Sequence, residues 1–85
     1  MPEISRFFGI VVGMYYSEHG LPHFHAVYGA SIASVEIESQ RIHGALPPRI
    51  QAMVLAWNGL HRQELLENWA RARAGLPLKT IDPLE

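Results

Sequence analysis

The chain contains no cysteine, which excludes disulfides and thiolate metal sites. It also lacks an excess of either charge: seven Lys and Arg face eight Asp and Glu, a net charge of −1 with histidines neutral. Nucleic-acid binders carry a basic excess because phosphate neutralisation drives their affinity, so direct nucleic-acid binding is not favoured here. Arg62, Arg71, Arg73 and Lys79 do gather toward the C-terminus, but Glu64 and Glu67 are interleaved with them, as on a solvated helix face. No apolar run is long. Phe7–Tyr16 is too short to span a bilayer and holds Gly9 and Gly13. No basic segment precedes it, so Met1-Pro2-Glu3 does not read as a signal peptide, and the expectation is a cytoplasmic protein without membrane association. There is no glycine-rich phosphate loop before a helix, and Ser5, Ser17, Ser31, Ser34 and Ser39 lack the strand–turn–helix setting of a nucleophile elbow.

What is present fits one domain over residues 1–85. A chain of this size buries only about 60% of the surface its unfolded form exposes, so its core is thin. Small domains supplement such a core with a metal, a partner subunit or very good packing. Apolar residues make up 48% of the chain, more than so small a body hides. A protein partner or a homo-oligomer follows as the expectation.

The apolar pattern changes period along the chain. Phe7–Tyr16 is β-branched and aromatic and reads as a strand, with its two glycines marking a bulge or a close backbone approach. His23–Tyr28 alternates, with Phe24, Ala26 and Tyr28 on one face and His23, His25 and Val27 on the other. Gly29-Ala30 suits a two-residue hairpin turn. Ser31–Glu38 alternates again, Ser39-Gln40 suits a second turn, and Arg41–Leu46 reads as a short fourth strand. From Pro48 the apolar positions Ile50, Val54, Trp57, His61, Leu65, Trp69 and Ala72 recur at helical spacing, until Gly75 and Pro77 stop it. One helix over that span would run about 40 Å, too long for this core, so a break is expected at Asn58-Gly59. The predicted fold is α+β: an antiparallel four-stranded meander followed by two helices, or one kinked helix, packed on one face.

Three stretches carry a resemblance: Pro2–Ile10 at the start, Glu18-His19-Gly20-Leu21-Pro22-His23-Phe24-His25-Ala26-Val27-Tyr28 in the middle, and His61–Trp69 near the end. Together they resemble the bacterial family known as domain of unknown function 4160. Leu21-Pro22 stands where that family usually shows two prolines. The resemblance brings no catalytic residue. It implies association with small two-gene operons, hence a toxin–antitoxin-like or regulatory role.

The hairpin register points to one candidate site. A two-residue turn at Gly29-Ala30 places His23 opposite Glu36 and His25 opposite Ser34. A two-residue turn at Ser39-Gln40 would set Glu36 opposite His43 as well, with one carboxylate between two imidazoles. His23, His25, Glu36 and His43 are therefore the candidate acid–base groups. His23, His25 and Glu36 form a candidate ligand set for a divalent metal, and Glu18 and His19 can add groups from the loop. A polar sheet face turned to water accounts for the same residues without any function. Tyr28 and His19 are further candidates for ligand contact. Trp57 and Trp69 are candidates for a partner interface, although core packing explains them as well.

Two functions remain open at this point. One is a small non-enzymatic regulatory or protein-interaction module. The other is a small histidine-based or metal-dependent hydrolase acting on RNA.

Overall fold

Period two governs the first half of the chain and period 3.6 the second, and the change falls at Pro47-Pro48 as the sequence predicts. A computed structural model describes all 85 residues. Five strands come first: β1 (Glu3–Phe7), β2 (Ile10–Gly13), β3 (His23–Tyr28), β4 (Ser31–Glu36) and β5 (Ile42–Gly44). Helices α1 (Pro48–Leu60) and α2 (Arg62–Arg73) follow. The strands form one antiparallel meander in chain order. No helix is long and apolar enough to cross a membrane.

The sheet has five strands where the sequence predicts four. The run Phe7–Tyr16 is not one strand, because Phe8 (φ 49°) and Gly9 (φ 80°) both adopt left-handed backbone and close a tight hairpin. Gly9 is the usual residue for such a turn and phenylalanine is not, so only half of the signal is visible in the sequence. Phe8 is 57% exposed and therefore makes few contacts that offset its backbone strain. Phe8→Asn is expected to raise the unfolding free energy by about 1 kcal/mol, read from urea denaturation midpoints. A lower midpoint would show that the ring contributes more to stability than its backbone costs. Gly13 answers to the other sequence expectation, close approach: a Cβ there would lie 2.6 Å from the Pro2 carbonyl oxygen.

Alternate strand residues face the helices. Ile10, Val12, Phe24, Ala26, Val35 and Ile37 are fully buried with Val54, Trp57 and Leu65 from the helices. A bulge between Glu3 and Ser5 lets two consecutive residues, Ile4 and Ser5, both turn inward. Trp57 is the centre of the core. Its ring lies 5.3 Å from Phe7 and 5.6 Å from Phe24, and its indole N–H donates to the Asp82 carbonyl at 2.8 Å.

Proline at the first turn starts α1, where its missing N–H costs nothing. The helical break comes at His61 (φ −120°) and not at Asn58-Gly59. Asn58 stays helical because it is fully buried and its amide donates to the Ile37 carbonyl at 3.0 Å. His61 caps the junction, its ring 5.5 Å from Trp57 and its Nδ1–H donating to Glu64 at 2.7 Å. Gly75 (φ 72°) ends α2 as expected. The tail then returns to the sheet: Asn68 bonds both the N–H and the carbonyl of Lys79, and the Ile81 N–H donates to Ile4 of β1. Glu67 pairs with Lys79 at 2.8 Å, another tie between α2 and the tail.

Candidate functional site on the histidine-bearing sheet face

The register of β3 on β4 agrees with the sequence reading pair by pair: Tyr28 with Ser31, Ala26 with Ala33, Phe24 with Val35, His25 with Ser34 and His23 with Glu36. Phe24 and Ala26 turn into the core, so the alternate positions His23 and His25 lie on the opposite face. β3 is the central strand, which gives both imidazoles a rigid base.

The carboxylate that joins them is Glu18, from the loop between β2 and β3, and not Glu36. His25 Nε2–H donates to Glu18 Oε1 at 2.9 Å, and His23 Nε2 lies 3.5 Å from Glu18 Oε2. The three side chains are partly withdrawn from solvent. Neighbouring rings hold the imidazoles in place: Tyr15 meets His25 edge-on at 4.9 Å, His23 and His25 stand 5.4 Å apart, and Trp69 of α2 lies 5.0 Å from His23. His23 Nδ1 is 2.8 Å from the Leu21 carbonyl. A carbonyl only accepts, so Nδ1 carries the proton and Nε2 is the nitrogen turned toward Glu18.

Glu36 belongs to a second group. It accepts from His43 Nε2–H at 2.7 Å and from the Ser39 hydroxyl at 2.7 Å. The expected placement of Glu36 between His23 and His43 is thus corrected: it engages His43, while Glu18 takes the other two histidines. Of the expected set His23, His25 and Glu36, the two histidines converge with Glu18 and not with Glu36: one donor atom from each of Glu18, His23 and His25 lies within 4.8 Å of the others.

The second turn explains part of the difference. Ile37 is needed in the core, and its N–H bonds the Pro22 carbonyl, so the β4–β5 loop spans 37–41 instead of two residues. His43 therefore stands opposite Ser34. A slip of two positions preserves the face, which is why His43 still reaches Glu36 on the diagonal.

Hydrogen bonds from His43 first and Ser39 second, with the nearby His43 and Arg41 charges, hold the Glu36 carboxyl below its ordinary pKa. A carboxyl with a depressed folded pKa stabilises the fold above its unfolded pKa, and that stabilisation is lost as pH falls through the folded value. Glu36→Gln is accordingly expected to be less stable than the parent at pH 7 and to lose less on acidification. Urea midpoints at pH 7 and pH 3 check this; parallel acid limbs for the two proteins would contradict it.

Leu21, His23, Ser34, Glu36 and His43 line a cavity of about 320 Å³ on this face. A smaller one, of about 120 Å³, is lined by Tyr16, Ser17, Glu18, His19 and Arg73, with the Arg73 guanidinium 5.9 Å above the Trp69 ring. His19 is exposed there and joins neither carboxylate group. Tyr28 is half-buried on the core face, away from the histidines. Trp57 is wholly enclosed and Trp69 is 7% exposed, so neither indole offers a surface to a partner. Glu18 is the member whose weight the sequence conceals, because a loop residue has no strand register to place it.

No curated protein and no solved structure matches the chain. The model of a family described as a domain of unknown function, DUF4160, matches residues 9–70, a span that contains every member of both carboxylate–histidine groups and most of the chain, and the protein belongs to that family.

Proposed function

We propose that the protein is a small non-enzymatic regulatory or protein-interaction module that docks a protein partner at the β1–β2 hairpin tip and the adjoining row of sheet residues. The observation that carries this reading is Phe8, a large aromatic residue left 57% exposed in a left-handed backbone conformation that does not suit it. Beside that hairpin tip, one row of sheet residues runs Arg6–Val11–Val27–Ile32 across four strands. Ile32 in that row is 62% exposed. Exposed aromatic and aliphatic side chains gathered at one place serve as anchors in protein interfaces. The Arg6 charge in the row is already paired with Glu3 at 2.8 Å, so the row is mainly apolar.

The partner of first choice is the product of the adjoining gene, in keeping with a toxin–antitoxin-like or regulatory pair. Co-expression of both chains followed by titration calorimetry tests it. Ile32→Glu and Phe8→Asn are each expected to weaken the complex by about 30-fold or more, the level of an interface hot spot. Ile32→Glu should leave the unfolding midpoint of the free chain unchanged, since the residue is outside the core. Affinity that is indifferent to both substitutions would rule out this surface. Concentration-dependent sedimentation of the chain alone would replace the foreign partner by a second copy.

A second reading, a histidine-based or metal-dependent hydrolase acting on RNA, is favoured by the convergence of Glu18, His23 and His25. Turnover of an RNA substrate that disappears in His25→Ala would support it over the first.

A further inference from the structure

We infer that Glu18, His23 and His25 hold a divalent transition-metal ion of the zinc class, tying the loop between β2 and β3 to the central strand. The inference stands independently of the docking surface.

The chemistry of the donors comes first. Two imidazole nitrogens and one carboxylate oxygen suit Zn²⁺ and its first-row neighbours, and suit Mg²⁺ or Ca²⁺ poorly. Their separations also fit. Around an ion with bonds of about 2.0–2.1 Å, tetrahedral ligands lie roughly 3.3 Å apart. Here His25 Nε2 is 2.9 Å from Glu18 Oε1 and His23 Nε2 is 3.5 Å from Glu18 Oε2, and one donor atom from each residue lies within 4.8 Å of the other two, so small side-chain shifts bring the three to that spacing.

The second argument is proton bookkeeping. His23 Nδ1–H is committed to the Leu21 carbonyl at 2.8 Å. In the neutral ring, Nε2 then presents a lone pair toward Glu18 Oε2, which is also an acceptor. Two acceptors face each other unless a cation lies between them. A second proton on His23 or a metal ion satisfies the arrangement, and the metal engages His25 Nε2 as well, displacing the proton now shared with Glu18. A carbonyl bonded to the far nitrogen of an imidazole is also the usual support for a histidine ligand, because it fixes tautomer and ring direction.

The third argument is rigidity. Both histidines are two apart on the central strand and wedged by Tyr15 and Trp69, so little order remains to be imposed on binding. Glu36 is not available as a ligand, since its oxygens already accept from His43 and Ser39. Three protein ligands leave a further position for water or another donor.

The test is calorimetric titration of chelator-treated full-length protein with Zn²⁺ in a weakly coordinating buffer, with Mg²⁺ as the comparison ion. The expected result is one Zn²⁺ per chain, dissociation constants in the micromolar range or tighter, proton release on binding, and no saturable Mg²⁺ binding. NMR should show the His23 and His25 imidazoles perturbed and His61 unchanged. Glu18→Gln, His23→Ala and His25→Ala should each weaken binding at least about 100-fold. His43→Ala and Glu36→Gln should bind as the parent does. Glu18→Gln changes only a loop side chain, so the test survives even if a strand variant fails to fold. Absence of saturable Zn²⁺ binding, equal binding by Glu18→Gln, or loss of binding in His43→Ala would each overturn the assignment.

Discussion

Trp57→Ala is expected to lower the unfolding free energy by about 3–5 kcal/mol, the cost of deleting a fully buried indole whose surroundings cannot collapse into the space. The stability of an 85-residue domain is about 4–13 kcal/mol in total, so this one substitution removes a large share of it. Three parts of the molecule lose a contact at once. Phe7 and Phe24 of the sheet pack on the ring, His61 at the helix junction lies against it, and the C-terminal tail is bonded to its N–H through Asp82. Trp57→Phe keeps an aromatic ring in the core but leaves the Asp82 carbonyl without this donor, and should fall between parent and alanine variant. Urea denaturation followed by circular dichroism checks both. A cost below about 1 kcal/mol for Trp57→Ala would mean that the tail and helix junction are held by something other than this ring.

Gly44→Ala is expected to detach β5 from the sheet. Gly44 has φ 110°, a region that side chains with a Cβ rarely adopt, and that strain alone costs about 1–3 kcal/mol. The added Cβ would also stand 2.6 Å from the Ile32 carbonyl oxygen and 3.0 Å from Ala33 Cα. Those atoms are backbone of β4 and cannot swing aside as a flexible side chain can, so a total loss of about 2–4 kcal/mol follows if the pairing persists. Separation of the strand is the alternative route, and it removes His43 from Glu36. Amide exchange reads the outcome: β5 protection should fall while the β2–β3 ladder stays protected. Unchanged protection of β5 with parental stability would contradict the placement of Gly44 against β4. The Glu18–His23–His25 group should keep its geometry in either outcome, because its hydrogen bonds and ion pairs are made among its own members and to the Leu21 carbonyl, all outside β5.

The two carboxylate–histidine groups show how far register reasoning reaches. Alternation places His23, His25 and Ser34 on one face, since a shift of one residue would turn Phe24 and Ala26 out of the core. It does not identify the carboxylate that each histidine meets. Glu36 lies opposite His23 in the ladder and yet bonds to His43, two positions along the next strand, because imidazole and carboxylate reach diagonally across a sheet.

The sequence alone determined the change from strand to helix at Pro47-Pro48, the core face of β3 and β4, the break between two helices to within a few residues, and the family. Each of these is local: a period, a proline or glycine, or a run of residues met in order. Tertiary structure alone decided the extra strand, since Phe8 takes a turn conformation only where β1 and β2 both have a sheet and a core to join. It decided that Trp57 and Trp69 are enclosed, and that Asn68 holds the tail. It decided too that Glu18, a loop residue, completes the histidine pair. A loop carries no period from which its side chains can be placed; where they end up depends on long-range packing that brings distant segments into contact.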